Sequence, residues 1–298
     1  MHFPSLFQTA GLAALARIIG LLGIAALLGA CSAVQLGYNN LPNVAYWWLD
    51  SYIDFNDEQA VLVREDLRRL HAWHRSEELP RLQATLARIE ELAPDNISPQ
   101  QACTFVPAAF ERLNAILVRA EPALVTLAMG LAPEQLAHLQ RKYERNNADY
   151  RKEWVRLAPA QLREKRFRQF VDRAEKFYGP LEEPQLAALR REVNRSTFDP
   201  RRALAERERR QEDLLATLRR IARQPLTIAD ARALLHGYFE RAQAPPDAAQ
   251  RAAWQSWVDE GCRSFSAMHN ATTAVQRQQA VGRLRGFQRD LRELASQM

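Results

Sequence analysis

The chain has 298 residues, with 41 Lys plus Arg against 35 Asp plus Glu and three cysteines. That length supports a sizeable core or an extended helical array. The modest basic excess is mostly arginine interleaved with acids, the pattern of solvated helix faces, which argues against a nucleic-acid groove.

The first thirty residues hold Arg17, no acidic residue, and the apolar run from Ile18 to Leu28, the n-region and h-region of a secretory signal. That run of 11 residues falls short of the roughly 20 needed to cross a bilayer. Leu28-Gly29-Ala30-Cys31 follows, a small-residue cleavage site with cysteine directly after it. Cys31 is therefore expected to carry a diacylglycerol on its thiol and, once residues 1–30 are cleaved, an acyl chain on its amine. An ordinary signal peptide beside a cysteine, or an N-terminal membrane anchor, is the alternative. Arg17 is the only charge removed with the signal, so the mature chain of 298 − 30 = 268 residues carries 40 − 35 = +5. Such a charge gives mild attraction to anionic headgroups, cell-wall polymers or acidic clients.

Residues 31–55 form the lipidated N-terminus and an aromatic segment, in which Tyr46-Trp47-Trp48-Leu49 is followed by Tyr52 and Phe55. Tyrosine and tryptophan favour surfaces that are apolar on one side and wet on the other. The segment is expected to pack into the core as a first helix, to lie on lipid headgroups, or to bind a client. Residues 56–298 read as an all-helical periplasmic domain, with a linker-like break at 244–247.

Asn56-Asp57-Glu58-Gln59 opens a helix to about Arg75, with Val61, Leu62, Leu67, Leu70 and Trp73 at helical spacing. A second helix runs from about Glu77 to Leu92. His71, His74 and Glu78 lie at i, i+3 and i+7, a weak candidate for a metal site on one helix face. A solvated polar face explains them equally, and no metal or cofactor is expected. Ser98-Pro99-Gln100-Gln101 starts the next helix, which is expected to turn Cys103, Phe110, Leu113 and Leu117 inward. A short helix from near Glu121 ends at Gly130.

Leu131-Ala132-Pro133-Glu134-Gln135-Leu136 is echoed by Leu157-Ala158-Pro159-Ala160-Gln161-Leu162 and, more loosely, by Leu181-Glu182-Glu183-Pro184-Gln185-Leu186, at spacings of 26 and 24 residues. Each copy places proline near the first helical turn, where its missing N–H costs nothing. The echo is either a helical repeat or one way of starting a helix used three times. Tyr143, Tyr150 and Trp154 form a stripe expected to be core. Asp199-Pro200 starts an arginine-rich helix to Arg223, and Thr227 with Asp230 has capping-box spacing. The final helices span approximately 247–269 and 271–297. The whole reads as all-α, an elongated bundle or array of about ten helices without significant sheet.

Once Cys31 is lipidated, Cys103 and Cys262 remain as a pair in an oxidising compartment. They are expected to form a disulfide, worth about 4 to 5 kcal/mol in the chain-entropy model; two buried free thiols are the alternative. No glycine-rich phosphate loop, nucleophile elbow or assembled triad is present. The arginine runs at 163–168 and 201–210 are default solvated faces, with Glu164, Glu206 and Glu208 as helical neighbours.

Cys31-Ser32, Tyr38-Asn39-Asn40, Tyr46-Trp47-Trp48-Leu49-Asp50, Tyr52, Asp54 and Asp57-Glu58-Gln59 together resemble a proteobacterial lipoprotein family known only as a domain of unknown function. The resemblance implies a helical envelope lipoprotein and supplies no active site. Leu131-Ala132-Pro133-Glu134-Gln135 is similar to the Leu-Thr-x-x-Gln motif of small periplasmic stress chaperones, with Ala132 in place of threonine and a partial echo at 56–59. Ser32 after the lipidated cysteine resembles the outer-membrane sorting signal.

The expectation is a non-enzymatic outer-membrane lipoprotein, lipid-anchored and facing the periplasm, that binds unfolded or assembling envelope proteins without a cofactor. Its candidate binding residues are Tyr46, Trp47, Trp48, Arg201, Arg202, Arg209 and Arg210. A scaffold tethering cell-wall polymer or a partner complex is the alternative, and a metal-dependent enzyme using His71, His74 and Glu78 is a distant third.

Overall fold

A computed structural model describes residues 34–223, 225–244 and 247–297, and among these every regular element is helical. Cys31, the expected lipidation site, and the expected signal segment lie outside the described residues. Residues 34–39 are helical, followed by α1 (Leu41–Ile53), α2 (Asp57–Trp73), α3 (Leu79–Leu92), α4 (Pro99–Cys103), α5 (Phe105–Met129), α6 (Pro133–Tyr150), α7 (Pro159–Tyr178), α8 (Glu183–Arg195), α9 (Pro200–Arg223), α10 (Ile228–Gln243), α11 (Ala248–Asn270) and α12 (Ala274–Ser296).

Two breaks expected from the sequence take another form. The helix begun at Asn56 does not stop near Arg75. A π-helical turn, His74–Glu78, joins α2 to α3, and the Leu79 N–H bonds back to the His74 carbonyl. The wider turn lets Pro80, which has no N–H and crowds the carbonyl four residues back, continue a helix it would otherwise end. A second π turn, Arg151–Val155, follows α6. Nor does a short helix begin near Glu121, because α5 runs through Pro122 to Met129. The arginine-rich helix has the expected bounds, Pro200 to Arg223.

Six helices begin with the same local chemistry. The side-chain oxygen of the third helical residue, always glutamine, accepts the N–H of its own N-cap: Gln59 from Asn56 (3.2 Å), Gln101 from Ser98 (2.9 Å), Gln135 from Ala132 (3.0 Å), Gln161 from Ala158 (3.1 Å), Gln185 from Glu182 (2.7 Å) and Gln276 from Thr273 (3.0 Å). Asn56, Ser98 and Thr273 complete the reciprocal capping box. The three echoed copies at 131, 157 and 181 head helices of 18, 20 and 13 residues. What they share is the start of a helix.

Four of these glutamines also join helix starts in two matching pairs. Gln59 donates to the Gly130 carbonyl (2.9 Å), Gln135 donates to the Asp54 carbonyl (2.9 Å), and the two amides bond each other. Gln185 donates to the Ala271 carbonyl (2.6 Å), and Gln276 to the Pro180 carbonyl (3.0 Å) and to Gln185 (3.3 Å). In each pair, one helix start is locked to the carbonyl two residues before the other's N-cap, so backbone groups that helix ends leave open are satisfied inside the fold.

Two main apolar clusters sit apart. One gathers Val125, Leu136, Leu139, Leu215, Leu218, Ile221 and Leu235 from α5, α6, α9 and α10. The other gathers Phe167, Tyr178, Leu189, Val193, Met268 and Ala280 from α7, α8, α11 and α12, beside a smaller group of Ala93, Val281 and Leu284. Helices α6, α9 and α10 contribute to the first cluster and α7, α8, α11 and α12 to the second, so the chain alternates between them. Cys103 and Cys262 are joined as a disulfide with a sequence separation of 159 residues, pinning α4 to α11.

Candidate interaction surfaces

The aromatic segment splits between two faces of α1. Tyr46 is buried at 6% exposure, with the Arg64 guanidinium over its ring at 3.4 Å and Phe55 at 5.8 Å. Tyr52 accepts a hydrogen bond from Asn146 (2.8 Å) and lies 6.1 Å from the Tyr143 ring. Leu41, Val44, Trp47 and Trp48 face outward, the two tryptophans at 64% and 59% exposure, with Trp48 resting one turn away on the Tyr52 ring at 4.8 Å. Core packing therefore takes Tyr46 and Tyr52 and leaves Trp47 and Trp48 as candidate contacts.

The segment before α1 is held from below. Tyr38 packs at a tilt on His71 (ring centroids 4.5 Å apart), its hydroxyl meets His74 Nδ1 at 3.0 Å, and Arg75 donates to Asn39 (2.6 Å) and to the Leu294 carbonyl (3.0 Å). His71 and His74 thus seat the N-terminal segment. Burial is the main cause that pushes both imidazoles below their ordinary value, against a smaller opposing effect of Glu78 on His74. Glu78, fully buried, takes Arg81 (2.8 Å) and Arg112 (3.4 Å). Among the described residues no group of three or more His, Cys, Asp or Glu is placed to hold a metal ion.

The arginines of α9 divide similarly. Arg201 and Arg202 are exposed. Arg209 and Arg210 both grip Glu206, at 2.8 Å and 2.6 Å, and Arg209 also reaches the Arg241 carbonyl. Arg209 thereby ties α9 to α10, while Arg210 is paired within α9, so Arg201 and Arg202 are the most outward of the expected four. Nor does the fold bring these arginines to the tryptophans. Helix α1 packs on α2 and α6, while α9 packs on α5, α6 and α10.

The sequence reading missed a further surface, beside the disulfide. Phe110 and Leu113, expected inside, are 38% and 47% exposed, and Phe110 packs edge-on against Trp254 at 5.7 Å. Trp254 in turn lies 5.0 Å from Trp257, and these two are 37% and 48% exposed. The first half of α11 is exposed, so the outer face of early α5 has no core to enter and meets the tryptophans laterally. Trp254 and Trp257 at i, i+3 among small residues were the available signal.

Other buried carboxylates serve the frame. Glu121 is met by Arg232 (2.5 Å) and His236 (3.2 Å), and Glu260 by Arg166 (2.8 Å) and the Thr197 N–H (3.2 Å). Burial pushes the Glu260 carboxyl up, but hydrogen bonds from Ser196 and Arg166 outweigh it and hold it below the ordinary carboxylate range. The stability this group contributes is complete above the unfolded carboxylate value of about 4.3 and is lost as pH falls through the lower folded value. Urea midpoints taken on the acid side, from about pH 5 downward, should therefore fall more steeply for the native chain than for Glu260→Gln; equal slopes would refute the assignment.

His269, fully buried, donates from Nε2 to the Asp95 carbonyl (2.7 Å), which leaves Nδ1 to accept the Tyr178 hydroxyl (2.8 Å). Burial pushes this imidazole down and the Tyr178 phenol up to about 12, so both are neutral structural links. A polar cleft of about 300 Å³ between α6 and α9 is crossed by Asn147–Gln211 (2.7 Å) and Arg219–Gln140 (2.6 Å) pairs.

One family model matches residues 51–230, and its description is a family of unknown function. No curated protein matches, and no solved structure matches.

Proposed function

Because the chain belongs to the family of unknown function DUF6279, whose model covers 180 of its 298 residues and brings no activity, we propose a function from its surfaces: a lipid-anchored periplasmic protein that binds unfolded or assembling envelope proteins. The observation that carries this reading is the exposed aromatic surface of Phe110, Leu113, Trp254 and Trp257. Contiguous outward aromatics of this kind mark interaction sites, and the disulfide pins α11 to α4, the short helix that leads into α5. Apolar side chains would shield client surface, while Arg201 and Arg202 attract acidic segments. The reading requires no nucleotide, metal or catalytic group. The Cys31 lipobox supports a lipid anchor, and Ser32 after it supports a place on the periplasmic face of the outer membrane.

The test follows light scattering of an aggregating unfolded outer-membrane protein with the oxidised chain from Ser32 onward added below stoichiometry. Suppression is expected, and Trp254→Ser with Trp257→Ser should weaken it roughly tenfold or more. Arg201→Glu with Arg202→Glu should reduce it mainly at low salt. Absence of suppression by the native chain would overturn the reading in favour of a scaffold, for which tight cosedimentation with isolated peptidoglycan is the expected sign.

A further inference from the structure

We infer that the outer face of α1, with Leu36 just before it, is a membrane-docking surface that lays the N-terminal helix on the lipid headgroups. From Val34 to Leu49 there is no Asp, Glu, Lys or Arg. The outward stripe of this stretch carries Leu36, Leu41, Val44, Trp47 and Trp48 at 66%, 45%, 52%, 64% and 59% exposure. A helix lying on a water-soluble body normally turns such a face inward and its polar face out. Here the fold takes Tyr46, Tyr52 and Ile53 and still leaves a second apolar stripe outside.

The inner side of the segment is already anchored. Tyr46 lies under Arg64, the Ser51 carbonyl meets His138 (3.2 Å), and Asn39 is held by Arg75 (2.6 Å). The outer stripe is therefore presented on a fixed frame. What lies against it is set by the chain that precedes it. Cys31 is three residues before Val34, and three residues reach at most about 10 Å. This rests on the lipoprotein reading: acyl chains on Cys31 bring the start of the helical segment to the bilayer surface. Tryptophan is the residue best suited to that depth, with an apolar body and an indole N–H that stays hydrated. The acyl chains hold the protein at the bilayer but leave its body free to turn about them, and an apolar helix lying in the interface fixes its orientation above the membrane. Because the stripe has no charge, this docking is insensitive to salt, unlike a basic amphipathic helix on anionic lipid.

The experiment uses the full chain extracted from membranes and reconstituted into vesicles of phosphatidylethanolamine and phosphatidylglycerol, with and without brominated acyl chains. Flotation reports attachment, and quenching of tryptophan fluorescence reports depth. The expected result is quenching by the brominated lipid that persists in high salt, that is mostly lost in Trp47→Phe with Trp48→Phe, and that disappears in Val44→Glu with Trp47→Glu. Both replaced side chains are exposed, and unchanged circular dichroism verifies the fold of that variant. Floating protein without quenching overturns the docking while leaving the lipid anchor standing. Protein that neither floats nor is quenched overturns both. A blue shift of Trp47 and Trp48 emission that needs an added unfolded protein rather than lipid also overturns the docking and reassigns the stripe to clients.

Discussion

Replacing Cys103 and Cys262 together by serine is expected to remove about 5 kcal/mol of stability. The bond closes a loop of 159 residues, and the chain-entropy cost released to the unfolded state by opening so long a loop is about 5 kcal/mol. The local structure gives the loss a direction. Helix α4 has only five residues, too short to persist without a partner, and its neighbours are α11 and the start of α5. Opening the bridge frees α4 first and then the pairing of Phe110 with Trp254, so client suppression should fall along with stability. A drop in Tm of about 10 °C follows for a chain of this size. The double variant is the cleaner test, because a single one leaves a lone buried thiol. Urea unfolding of the native and double-serine chains measures the difference. A loss below about 1 kcal/mol would mean that the unfolded chain gains little freedom from the cut, against the entropic account.

Gln185→Leu should cost nearly as much, about 3 to 5 kcal/mol, although it places an apolar residue in a fully buried position. The reason is what leucine leaves behind. The Glu182 N–H loses its acceptor (2.7 Å), the Ala271 carbonyl its donor (2.6 Å), and Gln276 its amide partner (3.3 Å). Each buried polar group so orphaned costs about 1–3 kcal/mol, offset in part by the apolar area that leucine buries. The internal control is Gln161→Leu. Gln161 makes the same N-cap bond (3.1 Å) but is exposed, so water replaces what is lost and the cost should stay below about 1 kcal/mol. Urea midpoints of the two variants, measured side by side, decide the matter. Equal and small effects would show that the reciprocal glutamine pairs are incidental to the fold; a large loss in Gln185→Leu alone would establish them as joints between helices.

These joints mark where sequence reading reaches its limit. By itself the sequence determined the all-α class, the starts at Asn56, Ser98, Pro133, Pro159, Pro200 and Thr227, and the one pair of cysteines available to each other. Those features depend on groups within three or four residues along the chain, or on simple elimination, and local chemistry is written in order. Only the tertiary structure decided that Gln59 meets Gln135 and that Gln185 meets Gln276, since nothing near either residue names its partner. It decided that Pro80 and Pro122 would be carried through helices, the first by the π turn ahead of it and the second because Val125 and Ala128 beyond it are buried in the core. It turned Phe110, Leu113, Trp47 and Trp48 outward and Tyr46 inward, and it tied Arg209 and Arg210 to Glu206. An apolar stripe at helical spacing states that a face will be covered. Whether core, membrane or another protein covers it depends on helices brought together from distant parts of the chain.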